Sequence, residues 1–239
     1  MSARLGWDEI FDPAKSGWDS IVPFLGVAQL LAADATTVVD LGCGRGAQVD
    51  GADGQPFQDL RGPGRRVIGL DVDPVGTENP IVDEFRLIED GHHWPLDDGA
   101  VDLIVSDFTF EHVDDPLTFV GELTRVLRPG GVVVARTISR YSPLALSART
   151  VPNRKHAGVL SRLQPSRQAR DVFPTRYRMN SERDLRVLLD RDYDWTVAHR
   201  GGLDQYAKPW PRLARALAAV EPRLPKATQT ALVIYARKR

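Results

Sequence analysis

The sequence predicts an α/β protein built on a doubly wound, mostly parallel sheet, and three stretches predict it. In VVDLGCGRGAQ, residues 38–48, a short apolar run (Val38, Val39, Leu41) enters a turn carrying Gly42, Gly44 and Gly46. β-Branched residues suit a buried strand, and the glycines permit positive φ and leave room for a ligand against bare backbone. In RVIGLDVDP, residues 66–74, a second apolar run ends in Asp71. In VDLIVS, residues 101–106, a third reads as the buried central strand at the point where strand order reverses. Strand, glycine turn and helix in succession form the nucleotide crevice of an open parallel sheet. The glycine spacing alone is ambiguous, because Gly42, Gly44 and Ala47 also fit a dinucleotide fingerprint.

Charge separates the two readings. Asp40 stands at the strand end just before the glycines, where a dinucleotide's phosphates would pass. Between Gly69 and Glu122 there are fifteen acids and one base, Arg86. So negative a field disfavours a pyrophosphate and suits a ligand with cationic groups. S-Adenosyl-L-methionine carries a sulfonium and an ammonium, and its single carboxylate suits a helix N-terminus. Here the chain resembles the class I S-adenosylmethionine-dependent methyltransferases, in particular their type 11 branch, whose first motif reads much like D-L-G-C-G-x-G. E-H-x-x-D-P at 111–116, R-V-L-R-P-G-G at 125–131 and the β-branched run after it extend the resemblance over residues 38–138. It implies a seven-stranded Rossmann-like methyltransferase fold in a single domain, residues 1–239. The core would be about 34–138 and 181–239, with a basic insertion after strand 5, about 139–180, covering the substrate.

The elements follow in order. Residues 18–33 have helical apolar spacing and lead into strand 1, about 37–41. Trp18 is either a lid over the cofactor, as the resemblance implies, or a hydrophobic anchor. Residues 47–64 are too rich in glycine and proline for a long helix, and only a short one near 55–61 is expected. Strand 2 spans 66–74 and strand 3 spans 81–88, with looser alternation. Strand 4, 101–106, leads to a helix that Asp115-Pro116 starts and Pro129-Gly130-Gly131 ends. Strand 5 is Val132–Ile138. Ten basic residues and one acid, Asp171, then mark 136–178. Asn180 or Ser181 caps a helix over 181–192. Strand 6 is about 193–200, residues 203–224 are mostly helical or irregular, and 228–238 form the last strand, antiparallel by resemblance. Tyr206 and Trp210 are lid or core aromatics.

The site expected from this pattern is specific. An acid at the tip of the second strand accepts both hydroxyls of a ribose, which assigns Asp71. Asp40, Gly42, Gly44, Gly46, Val72 and Ser106 complete the cofactor cradle that the resemblance implies. Related methyltransferases place an acid four residues before an L-P-F-type triplet, where it reaches the adenine amine. With Trp94-Pro95-Leu96 as the triplet, Asp90 is that acid and Gly91 lets the backbone approach the ring. Methyl transfer needs chiefly positioning and exclusion of water, and a base where the accepting atom is a protonated oxygen. His112 lies near the methyl group by resemblance and is the first candidate base, against a purely structural histidine. His156 in the basic segment is the second. Tyr141, Arg154, Tyr177 and Arg178 are candidate acceptor contacts, since arginine forks pair with carboxylates and phosphates. The ordinary alternative is that the arginines neutralise the acidic body. His92 and His93 have no further ligand spacing for a metal.

Composition bounds the rest. The 239 residues are 42% apolar and 26% charged, with net charge −1, ordinary for a globular protein. One cysteine, Cys43, excludes an internal disulfide and fits a reducing compartment, and in the glycine turn it reads as a small space-filler. No apolar run approaches a membrane span, so a cytoplasmic protein is expected. An N-P-P-Y tetrad for amide or nucleobase amines and a Pro-Cys nucleophile are both absent, and there is no nucleic-acid recognition fold beside the basic segment. The expected activity is methyl transfer to a small polar or anionic molecule, such as a sugar-containing or carboxylated one, at oxygen. The rivals are a dinucleotide-dependent oxidoreductase and a non-catalytic cofactor-binding scaffold.

Overall fold

A computed structural model describes residues 21–46, 59–150, 174–203 and 210–239. Seven strands form one mixed sheet in the order β3-β2-β1-β4-β5-β7-β6. They are β1 (Thr37–Leu41), β2 (Arg66–Asp71), β3 (Glu84–Leu87), β4 (Val101–Asp107), β5 (Leu127–Ile138), β6 (Tyr193–Arg200) and β7 (Ala231–Lys238). β7 runs antiparallel to both β5 and β6, and the other pairs are parallel. Strand order reverses between β1 and β4, so their C-terminal ends open a crevice between connections that leave in opposite directions.

Each sheet face buries its own core. Helix α1 (Ile21–Ala32) lays Phe24, Leu25, Val27 and Ala28 on Val38, Val67, Leu103, Val134 and Val233. The opposite face carries α2 (Pro116–Val126) and packs Val39, Leu70, Ile104 and Ile234 with Val120, Leu123, Leu185 and Leu189. Asp115 starts α2 by accepting the N–H groups of Leu117 and Thr118, with Pro116 supplying a preset φ at the first helical position. The basic segment contributes α3 (Pro143–Thr150). Ser181 caps α4 (Glu182–Leu189), which carries Leu185 and Leu189, and α5 (Pro211–Val220) precedes β7.

Several boundaries differ from expectation. β2 stops at Asp71, because Asp73 caps a 3-10 turn over Pro74–Glu78, whose Gly76 lies against Phe85 of β3. β5 begins at Leu127, directly where α2 ends. Leu127 pairs with Val101, and the next pair is Leu103 with Val132, so Pro129-Gly130-Gly131 form a bulge inside the strand. α4 ends at Leu189, three residues short of 192. Residues 59–61 are not helical. Trp18, Tyr206 and residues 55–58 lie outside the described residues, while Trp210 is exposed. The described part of the basic segment pairs with acids: Arg136 with Asp107, Arg140 with Asp184, and Arg176 and Arg178 with Asp114.

Candidate active site

The glycine turn is an arch held from three sides. Gly42 (φ +75°) donates its N–H to the Leu70 carbonyl at 2.7 Å. Asn79 donates its side-chain amide to the Cys43 carbonyl at 2.9 Å. Asp71 Oδ2 accepts the Gly44 N–H at 2.8 Å, while Oδ1 accepts the Asp73 N–H at 2.9 Å. Each glycine answers to a different need. A Cβ on Gly42 would collide with the Thr109 hydroxyl, and one on Gly46 would come within 2.7 Å of Asn79 Oδ1. Among the described residues, one on Gly44 (φ +47°) would meet nothing within 4 Å, so this residue turns bare backbone away from them. Cys43 is buried and its thiol is pushed up by burial and by Asp40 and Asp71, which leaves it protonated and inert.

Three carboxylates converge beside this arch. Asp40, one residue before the end of β1, is in register with Gly69 and Val105. Burial, with the neighbouring charges of Asp107 and Asp71, pushes its carboxyl up to about 7. Asp107 ends β4 and receives both Nε and Nη2 of Arg136, at 2.7 and 2.8 Å. That guanidinium stacks on Phe108 at 4.4 Å and on Phe24 at 5.4 Å. Phe108 holds a left-handed conformation (φ +54°), and its N–H bonds to the Arg136 carbonyl at 2.8 Å. A non-glycine residue in that region is held there by its surroundings.

The other expected residues fall in several places. Ser106 is fully buried and spends its hydroxyl on the Leu41 carbonyl at 3.0 Å, tying β4 to β1. Val72 is exposed next to Asp71. Asp90 is exposed, and its Oδ1 accepts the N–H groups of His92 and His93 at 2.8 Å, which hold its carboxyl below the usual range. Gly91 sits inside that turn with φ +71°. His112 is half-buried, and its Nδ1 lies 3.1 Å from the Pro174 carbonyl. A carbonyl only accepts, so Nδ1 carries the proton and the lone pair of the neutral ring sits on Nε2. The same stretch is strapped to Glu111, whose carbonyl accepts the N–H groups of Arg176 and Tyr177 at 2.6 and 3.1 Å. The Glu111 carboxylate takes the Thr137 hydroxyl at 2.6 Å.

Tyr177 is buried with φ +52°, so its ring is part of the packing rather than an exposed contact. Tyr141 and Arg178 are exposed on the wall of a cavity of about 920 Å³ with Arg140, Asp114, Leu117 and Val187. Arg154 and His156 lie outside the described residues. The sequence reading missed Asn79, the Asp107–Arg136 pair and Phe108. A lone arginine inside the run VVVARTI was the available signal, since a charge in a buried strand calls for a partner.

Seven strands in this order, with an open glycine arch between acids at the ends of β1 and β2, define a class I, Rossmann-like methyltransferase fold. Residues 39–135 match the family model described as Methyltransferase domain. Over this stretch the chain is similar to S-adenosylmethionine-dependent methyltransferase domains. It is 40% identical over 115 residues to a probable S-adenosylmethionine-dependent methyltransferase of Mycolicibacterium smegmatis, covering 44% of this chain and 40% of that protein. It is 28% identical over 142 residues to a ubiquinone biosynthesis O-methyltransferase of Maricaulis maris, covering 55% and 53%. The chain thus spans about half or less of the length of these curated relatives. A methyltransferase from Aquifex aeolicus superposes with TM-score 0.52 at 16% identity over 96% of this chain and 95% of the other. Geranyl diphosphate C-methyltransferase of Streptomyces coelicolor gives 0.54 at 18% identity over 90% and 75%. These two share the fold.

Proposed function

We propose that this protein is a cytoplasmic, single-domain methyltransferase that uses S-adenosyl-L-methionine to methylate a small polar or anionic acceptor, at oxygen. The observation that carries the reading is the open backbone at Gly44 between the carboxylates of Asp40 and Asp71. An anionic group would be repelled there, whereas an ammonium and a sulfonium are drawn in. Gly42 and Gly46 shape the arch, Asp71 takes the ribose, and Asp90 with Gly91 takes the adenine edge. When bound, the cofactor supplies an already activated methyl group. Orientation of the two reactants is then worth up to about 7–11 kcal/mol of the barrier.

His112 is the proposed base. Its Nδ1–H is held by the Pro174 carbonyl, so the ring presents Nε2 as the proton-accepting atom. Tyr141 and Arg178 are the proposed acceptor contacts of the basic segment. Oxygen as the accepting atom is supported by the names of two relatives, the ubiquinone biosynthesis enzyme and a malonyl-[acyl-carrier protein] O-methyltransferase of Yersinia pestis, 31% identical over 109 residues.

Calorimetry with S-adenosylhomocysteine and, separately, NAD tests the cofactor: the first is expected to bind and the second not. NAD binding alone would overturn the reading. Methyl transfer from labelled donor to metabolite pools then tests catalysis. His112→Ala is expected to lower turnover about 10²–10⁴-fold with cofactor affinity unchanged, and full turnover would remove His112 as base.

Asp40 gives a pH test. Its carboxyl is pushed up to about 7, and a cationic ligand binds only the ionised form. Affinity for S-adenosyl-L-methionine is therefore expected to rise about tenfold per pH unit up to pH 7 and level off above it. Asp40→Asn should flatten this dependence, and a slope that survives in the variant would sink the assignment.

A further inference from the structure

Arg200 ends β6 and pairs with Ala231, which in turn pairs with Ile138 at the end of β5. It therefore stands at the C-terminal edge of the sheet. Side chains alternate along a strand, so the register puts Arg200 on the face that carries Ala198, Tyr235 and Arg136. Asp107 and Asp40 share that face by the same register. The phenol of Tyr235 is within electrostatic reach of the Arg200 charge.

Arg200 is only 9% exposed, and its buried Nε and Nη2 have no hydrogen-bond partner among the described residues. These two N–H groups form one edge of the guanidinium fork. Among the described residues the same edge grips a carboxylate three times: Arg61 on Asp59, Arg125 on Glu122 and Arg136 on Asp107. The buried carboxylate next to Gly201 does not serve Arg200. Glu221 instead accepts the N–H groups of Gly202, Leu203 and Thr230 and the Thr230 hydroxyl. A buried cation whose bidentate edge is unmatched is costly unless an anion meets it.

We propose that Arg200 reads an anionic group of the acceptor, its Nε–H and Nη2–H taking the paired oxygens of a carboxylate or a phosphate. The word acceptor rests on the methyltransferase reading; the anion site does not. Three strand spacings, about 14 Å, separate β6 from β4. The anionic group thus lies at the end of the acceptor remote from the accepting atom, and the acceptor is elongated.

The test uses the whole protein with inorganic phosphate and acetate as probes, against potassium chloride at matched ionic strength. One of the two, at ten times its dissociation constant, is expected to raise the wild-type Tm by about 3–6 °C. Whichever does so distinguishes phosphate from carboxylate. Arg200→Gln should abolish the rise, and Arg200→Lys, which keeps the charge without the fork, should reduce it by more than half. The lysine variant decides the matter if the glutamine variant does not fold. No rise beyond chloride in the wild type, or an equal rise in a folded variant, overturns the proposal. S-Adenosylhomocysteine titrations run alongside separate the two readings. Failure of the wild type to bind it defeats the methyltransferase reading and leaves the anion result standing.

Discussion

Asp71→Ala is expected to weaken S-adenosylhomocysteine binding by about 10²–10⁴-fold, corresponding to two hydrogen bonds to a charged acceptor at about 1.5–3 kcal/mol each. The carboxylate has two tasks. Its Oδ2 holds the Gly44 N–H and its Oδ1 the Asp73 N–H, so it fixes the arch. Each oxygen retains lone-pair capacity for a ribose hydroxyl. The alanine variant removes both functions at once. Asp71→Asn keeps one oxygen that can still accept from Gly44 but lacks the charge, so its loss should fall between wild type and alanine. Calorimetry reads the affinities, and far-UV circular dichroism checks that the sheet survives. An alanine variant that binds within threefold of wild type would remove Asp71 from the site.

Arg136→Ala is expected to cost about 3–5 kcal/mol of folding stability, because it empties a buried side-chain site and leaves the half-buried Asp107 carboxylate unpaired. The arginine is 1% exposed, grips Asp107 with two hydrogen bonds and fills the space between Phe24 and Phe108. Without it, Asp107 faces Asp40 with no compensating charge. Chemical denaturation measures the loss, which corresponds to a Tm lower by about 6–20 °C. Arg136→Met combined with Asp107→Leu should recover more than half of it, since removing both charges removes the unpaired one. A single variant that loses less than about 1 kcal/mol would show that the pair is not what holds this edge together.

Asp71, Asp40 and Asp107 differ in how visible they were beforehand. Asp71 follows directly from a β-branched run that ends in an acid, and Asp40 from its place before three glycines. Both are local patterns, and the structure keeps them local: β2 ends on Asp71 and the glycine arch follows β1. Asp107 was legible only as one more member of an acidic stretch. Its meaning depends on Arg136, 29 positions away, and that pairing exists because the parallel register of β4 and β5 sets the two side by side. At Tyr177 the sequence was legible only in kind: it names an aromatic candidate contact, and it is the packing, with Arg176 and Tyr177 bonded to the Glu111 carbonyl, that buries the ring. The expected break at Pro129-Gly130-Gly131 became a bulge, because Leu127 is already buried and paired with Val101.

By itself, then, the sequence determined the order of strands and helices, the glycine arch and the acids at its rim. Those features are written in patterns a few residues long, where alternation, capping and backbone freedom act. The tertiary structure alone decided which charges are paired and which buried, from the bidentate grip of Arg136 on Asp107 to the fork of Arg200, unmatched among the described residues. The reason is that desolvation and ion pairing depend on which side chains distant strands bring within a few ångströms, and register sets that.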